Sequence, residues 1–310
     1  MRSHPTTSEL RTQGHSLADE LLELYFDPAA KEMQHIGSYE LPSKEAIDSI
    51  IEMCRGLMFP GYAGPEVGRL SRRELRELVR TRIAELRVSL QRQVYRALHH
   101  NHQQQSGHAE IDSEESAMLG DVITDCFLAK LPQLRELVRL DLRAAYECDP
   151  AAKGIDEILL CYPGAYAITV YRIAHALQRE GSIVLPRMMA EVAHHKTGVD
   201  IHPGAEIGRS FFIDHGTGVV IGETALIANS VRIYQGVTLG ALTVPKGEAR
   251  PEAGQRRHPT IEDDVVIYAN ATILGGSTVI GKGAVIGGNA FITASVAPGT
   301  KVSGARRTAP

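Results

Sequence analysis

Tryptophan is absent from the 310 residues, and Phe and Tyr bring the aromatic share to only 5%. A core built on large rings is excluded; β-branched residues and glycine must fill its place. Cysteine is scarce too. Cys54, Cys126, Cys148 and Cys161 form no CxxC pair, which argues against a zinc knuckle or a disulfide framework. Three of them fall in apolar helical patterns and are expected as small buried hydrophobes in a reducing compartment. No apolar run is long enough to cross a bilayer, and no charged leader precedes an apolar stretch, so a soluble cytoplasmic protein is expected. Nor does one charge dominate. Lys and Arg number 33 against 37 Asp and Glu, a net charge of -4 that gives no general attraction to nucleic acid or anionic membranes.

What is present falls into two unlike halves. Residues 1–197 read as helical. Apolar spacing predicts helices over Leu17–Leu24 and Ser43–Leu57, with Ser43 as N-cap. Phe59-Pro60-Gly61-Tyr62 is a turn. From Ser71 onward Leu75, Val79, Ile83, Leu86, Leu90 and Val94 recur at helical spacing, with an Arg-rich solvated face. His99, His100, His102 and His108 sit in a Gln-rich stretch that reads as a mobile polar loop rather than a metal site. A helical pair follows over Glu115–Glu147, with Pro132 opening its second member. Two more helices are expected at Tyr166–Glu180, ended by Gly181, and at Pro186–Lys196.

From residue 198 to 305 the pattern changes. A short apolar residue returns every sixth position at Ile201, Ile207, Ile213, Val219, Ala225, Val231 and Val237. It resumes at Ile261, Ile267, Ile273, Val279, Val285 and Phe291. A period of six fits neither a helix nor strand alternation and marks a parallel β-helix, one hexad to each flat side. Ala205, Thr217, Ala271, Ser277, Gly283 and Ser295 are the small or polar residues expected at its corners. Every break in such a rhythm is a candidate site. The largest is a loop at 242–257, whose Lys246, Arg250, Arg256 and Arg257 suit an anionic ligand. Polar residues beside the ladder form the second signal: Asp200 and His202, then Asp214 and His215, then Arg257 and His258. A carboxylate beside an imidazole orients it and favours its charged form, which makes a general base.

These residues resemble the serine O-acetyltransferase family of hexapeptide-repeat acyltransferases, in the variant with the longer Gly240-Ala241-Leu242-Thr243-Val244 loop. The resemblance rests on Asp149-Pro150-Ala151, Tyr171-Arg172-Ile173-Ala174-His175, Val199-Asp200-Ile201-His202-Pro203, Asp214-His215-Gly216-Thr217-Gly218, Ile221-Gly222-Glu223-Thr224-Ala225, Gln235-Gly236-Val237-Thr238-Leu239-Gly240 and Arg257-His258-Pro259. It implies an α+β protein, an all-helical N-terminal domain followed by a left-handed parallel β-helix. It implies a homotrimer or a dimer of trimers, with L-serine and acetyl-CoA as substrates, no metal, and O-acetyl-L-serine for cysteine biosynthesis as product. By matching position His215 is the general base and Asp200 its orienting carboxylate. Asp149 and Asp214 take the serine ammonium; Arg257 and His258 take its carboxylate. Gly240 and Ala241 offer backbone N–H groups to an oxyanion, and Ala269 and Gly287 line the coenzyme's arm. The chain ends Arg306-Arg307-Thr308-Ala309-Pro310, without the terminal isoleucine that many relatives insert into O-acetylserine sulfhydrylase, so that complex is not expected.

Three other readings compete. A hexapeptide acyltransferase for sugar or antibiotic hydroxyls would lack the Asp149 and Arg257-His258 pairing suited to an amino-acid zwitterion. A zinc lyase on the same coil would use His202, His215 and His258. A scaffold would use the coil only as a spacer.

Overall fold

The computed structural model describes residues 7–27, 29, 35, 40–64, 67–106, 113–182, 184–242 and 255–304. The chain forms two compact units, residues 1–40 and residues 41–310. The first contains helix α1 (Thr7–Tyr25). Among its described residues the second holds α2 (Lys44–Met58), α3 (Arg72–Ser106), α4 (Ser113–Ala129), α5 (Leu131–Cys148), α6 (Ile155–Cys161), α7 (Pro163–Arg179) and α8 (Val184–Thr197), followed by fourteen short strands.

The helices follow their sequence signals closely. Ser43 caps α2, its hydroxyl accepting from Ala46 N at 3.2 Å. Pro132 stands in the first turn of α5, and Gly181 follows α7 with φ of +100°. Two readings change. Helix α3 continues through His99, His100 and His102, so that stretch is helix rather than loop; His108 lies outside the described residues. Helix α6 was not expected, because seven residues make under two turns and carry no readable period. The cysteines also differ from expectation. Cys54 alone is buried, Cys148 is half-buried, and Cys126 and Cys161 are exposed at the surface of their helices.

From Asp200 onward the chain winds into a left-handed parallel β-helix. Its strands are two or three residues each: β1 (Asp200–Ile201), β2 (Glu206–Ile207), β3 (Phe212–Ile213), β4 (Val220–Ile221), β5 (Leu226–Ile227), β6 (Arg232–Ile233), β7 (Thr238–Gly240), β8 (Thr260–Ile261), β9 (Val266–Ile267), β10 (Thr272–Leu274), β11 (Val279–Ile280), β12 (Val285–Ile286), β13 (Phe291–Ile292) and β14 (Lys301–Val302). They form three sheets with the orders β1-β4-β7-β10-β13, β2-β5-β8-β11 and β3-β6-β9-β12-β14. Two columns of corners sit in the left-handed backbone region. Ser210, Ser230, Asp264 and Gly283 line one; Gly198, Gly218, Gly236, Asn270 and Asn289 line the other. Asn, Asp and Gly tolerate that region best, which explains their recurrence there.

The inward ladder is not the one that strict six-residue counting gives. Ile201 pairs with Ile221, twenty residues on, where three hexads make eighteen. The surplus of two falls in residues 214–218. Beyond it the inward strand residues are Ile221, Ile227, Ile233 and Leu239, while Val219, Ala225, Val231 and Val237 fill the buried place two residues earlier. One further residue enters after Ile273. Val279, Val285 and Phe291 therefore lead their strands facing outward, and Ile280 and Ile286 are buried instead. Phe291 is 69% exposed. Ala205 and Ala271, expected at corners, are fully buried. Each inward Ile contributes about 1.5–3 kcal/mol before entropy is counted.

The helices meet the coil through a buried ion pair. Arg172 on α7 reaches Asp141 on α5 at 3.1 Å, and its guanidinium also donates to the carbonyls of Ile207 and Gly208. Asp141 in turn accepts from Phe211 N at 2.9 Å. Tyr171 donates its hydroxyl to Ala205 O. The change from helix to coil thus lies inside one packed unit.

Candidate active site

The two-residue surplus makes an irregular corner between the third sheet and the first. His215 takes φ of +58° there, with Gly216 at +96° and Gly218 at +80°. This is the corner conformation that Ser210, Ser230, Asn270 and Asn289 also adopt, here at the residue that carries the imidazole. His215 points outward, 72% exposed, with Nε2 3.9 Å from Asp214 Oδ1.

Helices supply the rest of this corner. Asp149, at the C-terminal cap of α5, accepts from Tyr162 Oη at 2.6 Å and from Ala151 N at 2.8 Å. The Tyr162 hydrogen bond foremost, then that of Ala151, with the fields of His215 and Arg232, holds the Asp149 carboxyl below the usual carboxylate range. The same bond pushes the Tyr162 phenol up to about 12. Tyr162 is placed by Pro163 at the start of α7 and by Gly164, whose hydrogen lets the helix lie on β3; a Cβ there would overlap Ile213 O. Arg232 on β6 donates to Cys148 O at 2.7 Å, bracing the residue before Asp149. Carboxylates Asp149 and Asp214 therefore face one imidazole.

A second polar cluster occupies the corner between the first sheet and the second. The backbone N–H groups of Arg257 and His258 donate to Thr224 Oγ1 at 2.9 and 3.1 Å. His258 is 7% exposed, and its Nδ1 accepts from Thr224 N at 3.0 Å. Its ring lies over Gly222, where a Cβ would overlap Nε2. Arg257 forms an ion pair with Glu223, which holds the Glu223 carboxyl below its usual range. His202 stands beside them, its Nδ1 accepting from Gly204 N at 3.0 Å. Burial pushes both His202 and His258 below the ordinary imidazole range, so both favour the neutral form.

The predicted residues thus divide. Asp149, Asp214 and His215 come together, with Ala269 and Gly287 further down the same corner. Arg257 and His258 come together on the next corner, which also carries Gly240 and Ala241 after β7 (Thr238–Gly240). Asp200 faces Arg187 of α8 at 3.7 Å, and within one chain no ion pair or hydrogen bond joins it to His215. Glu191, His194 and Asp200 bring ligand atoms within 4.8 Å of one another, with the Arg187 guanidinium on both carboxylates. The three histidines weighed for zinc do not converge within one chain: His202 and His258 share a corner that His215 does not. In the loop expected at 242–257, residues 243–254 lie outside the described residues, as does the tail 306–310. Sequence reasoning missed Tyr162, Arg187 and Arg232 as site residues. The proline after Tyr162 was the one signal present.

No family model matches the chain. Individual proteins do. A plasmid-encoded serine acetyltransferase of Synechococcus elongatus is 45% identical over 262 residues, covering 84% of this chain and 81% of that protein. The serine acetyltransferase of Bacillus licheniformis is 46% identical over 140 residues, 45% of this chain and 61% of its own length. Among solved structures, serine acetyltransferase 1 of Entamoeba histolytica in complex with L-cysteine superposes with a TM-score of 0.69 at 33% identity, covering 85% of this chain and 87% of that one. The Neisseria gonorrhoeae serine acetyltransferase in complex with serine gives 0.53 at 29% identity, over 88% and 98%. Among the described residues no helix is long and apolar enough to cross a membrane. Helices leading into this coil, these corner clusters, and 45% identity across most of both proteins establish that the chain belongs to the serine acetyltransferase family.

Proposed function

We propose that the protein transfers the acetyl group of acetyl-CoA to the hydroxyl of L-serine, the first step of cysteine biosynthesis, with His215 as general base. The observation that carries this reading is the irregular corner, where an exposed imidazole meets Asp149 and Asp214. His215 takes the hydroxyl proton as the serine oxygen attacks the thioester carbonyl. The tetrahedral oxyanion is stabilised by a backbone N–H near Gly240 or Ala241. As the carbon–sulfur bond breaks, protonated His215 returns the proton to sulfur, giving free thiol and O-acetyl-L-serine. Acetyl transfer is direct, no step uses a metal, and Ala269 and Gly287 border the coenzyme's arm. Four free thiols suit a reducing cytoplasm.

Asp149 and Asp214 would hold the serine ammonium, Arg257 and His258 its carboxylate. Those groups stand on different corners of one coil, either side of a strand of the first sheet whose extended residues advance about 3.3 Å each, so a side of four to six residues is on the order of 13–20 Å. One free amino acid cannot span that side. A complete site therefore needs two copies, the His215 corner of one against the Arg257 corner of the next, as in a trimer or a dimer of trimers. The same packing would offer Asp200 of one copy to His215 of its neighbour. The ligands of the two solved relatives, serine and L-cysteine, support an amino-acid pocket.

The test is thiol release from acetyl-CoA with L-serine, L-homoserine and simple sugars as acceptors. Serine is expected to dominate, and His215→Ala to lose about 10²–10⁴-fold in rate with its oligomer intact. Full turnover in that variant would reject the assignment.

A further inference from the structure

Two tyrosines of the His215 corner, Tyr234 and Tyr268, are unused by this chemistry. Asp214, Tyr234, Tyr268 and Gly287 occupy the same place on successive rungs. Asp214 N donates to Ile233 O at 2.9 Å, Tyr234 N to Ile267 O at 3.1 Å, and Tyr268 N to Ile286 O at 2.9 Å. The rings of Tyr234 and Tyr268 stack, with centroids 5.1 Å apart and planes 13° from parallel. Tyr268 is 42% exposed. Its outer neighbours on the next rung, Gly287 and Gly288, have no side chains; a Cβ on Gly288 would come 4.0 Å from that of Tyr268. One face of Tyr268 is thus covered by Tyr234 and the rung below leaves a side-chain-free step.

A long acyl donor must bring its carbonyl to His215 and lead the rest of its length away. Towards the helices the path is closed, because the start of α7 lies on β3 at Gly164 and Tyr162 binds Asp149. Along the coil, among the described residues, it passes the tyrosines. Rungs are about 4.8 Å apart, so Tyr268 lies roughly 10 Å along the axis from Asp214. That is too far for the acetyl group and suits the arm behind it. Two phenol rings with apolar faces fit a chain of amides and methyl groups better than they fit phosphates.

We propose that the Tyr234–Tyr268 stack is a wall of the donor groove, and that Tyr268 binds the amide-bearing pantetheine arm and so selects coenzyme A thioesters over shorter ones. This rests on the acetyl-transfer reading above. The test uses the full chain and two donors, acetyl-CoA and the truncated thioester acetyl-N-acetylcysteamine, with serine as acceptor. Tyr268→Ala is expected to raise the KM for acetyl-CoA about ten-fold, the scale of one lost aromatic contact. The serine KM and the kcat/KM of the truncated donor should stay within about two-fold, and Tyr268→Phe should keep most of the affinity. Equal losses with both donors, or an unchanged acetyl-CoA KM, would overturn the assignment. Calorimetric binding of coenzyme A to the same variants gives a readout independent of turnover: unchanged affinity in Tyr268→Ala would equally overturn it. A wild-type protein that binds coenzyme A but releases no thiol with serine would instead sink the acetyl-transfer reading.

Discussion

The helical region and the coil solve the same problem, burial of apolar surface, in opposite ways. In the helices, residues distant in sequence meet once, as where Gln93 on α3 accepts from Ser43 N or Lys196 on α8 reaches Asp48 on α2. In the coil the same contact is made again on every turn. Ile201, Ile221, Leu239 and Ile273 stack directly on one another. A repeated contact leaves its outward and corner positions free for other chemistry, provided the inward column is kept. The helices contribute few reactive groups and instead brace the coil's first irregular corner, through Asp149, Tyr162 and Gly164.

If the two regions are one cooperative unit, the Asp141–Arg172 pair should matter most. Asp141→Ala leaves a buried guanidinium without its carboxylate and is expected to cost about 3–5 kcal/mol. Helix and coil signals should be lost together in a denaturant titration; separate transitions would divide them. Within the coil, the register can be tested on adjacent residues. Ile286→Ala should cost about 2–5 kcal/mol and Val285→Ala under about 1 kcal/mol, since only the first faces inward. The reverse order in the same titration would restore the strict hexad count. The smallest effect concerns acid. Burial depresses His175, His202 and His258, so the fold favours their neutral forms. The stability this confers is full above about pH 6.5 and is lost as pH falls through the lowered values. The thermal midpoint should hold near neutral pH and decline towards pH ~5. A flat midpoint over that interval would show that these rings are solvated.

Much of this was legible in the sequence. The helices announced themselves through apolar spacing and caps such as Ser43 and Gly181. The period of six identified the coil. Its phase was harder, because Val219 and Val285 look alike in sequence while one is buried and the other leads a strand facing out. Only backbone pairing reveals that two residues were added at 214–218. The site was legible as a set of residues but not as a grouping. Nothing in the order Asp200, Asp214, His215, Arg257 says which corner each will occupy. Tyr162 was hidden for another reason: its role depends on the short helix before it and on one glycine after it.

The long interruption has a consequence for how such a molecule can vary. Val220 pairs with Thr238, eighteen residues on, yet Thr238 pairs with Thr272, thirty-four on, in unbroken register. Sixteen extra residues enter and leave at one vertex without shifting the register of the neighbouring strands. Closing a longer excursion adds only logarithmically to the entropic cost, so its length is nearly free to drift. A prism of this kind can change what it displays at one vertex while its interior stays fixed.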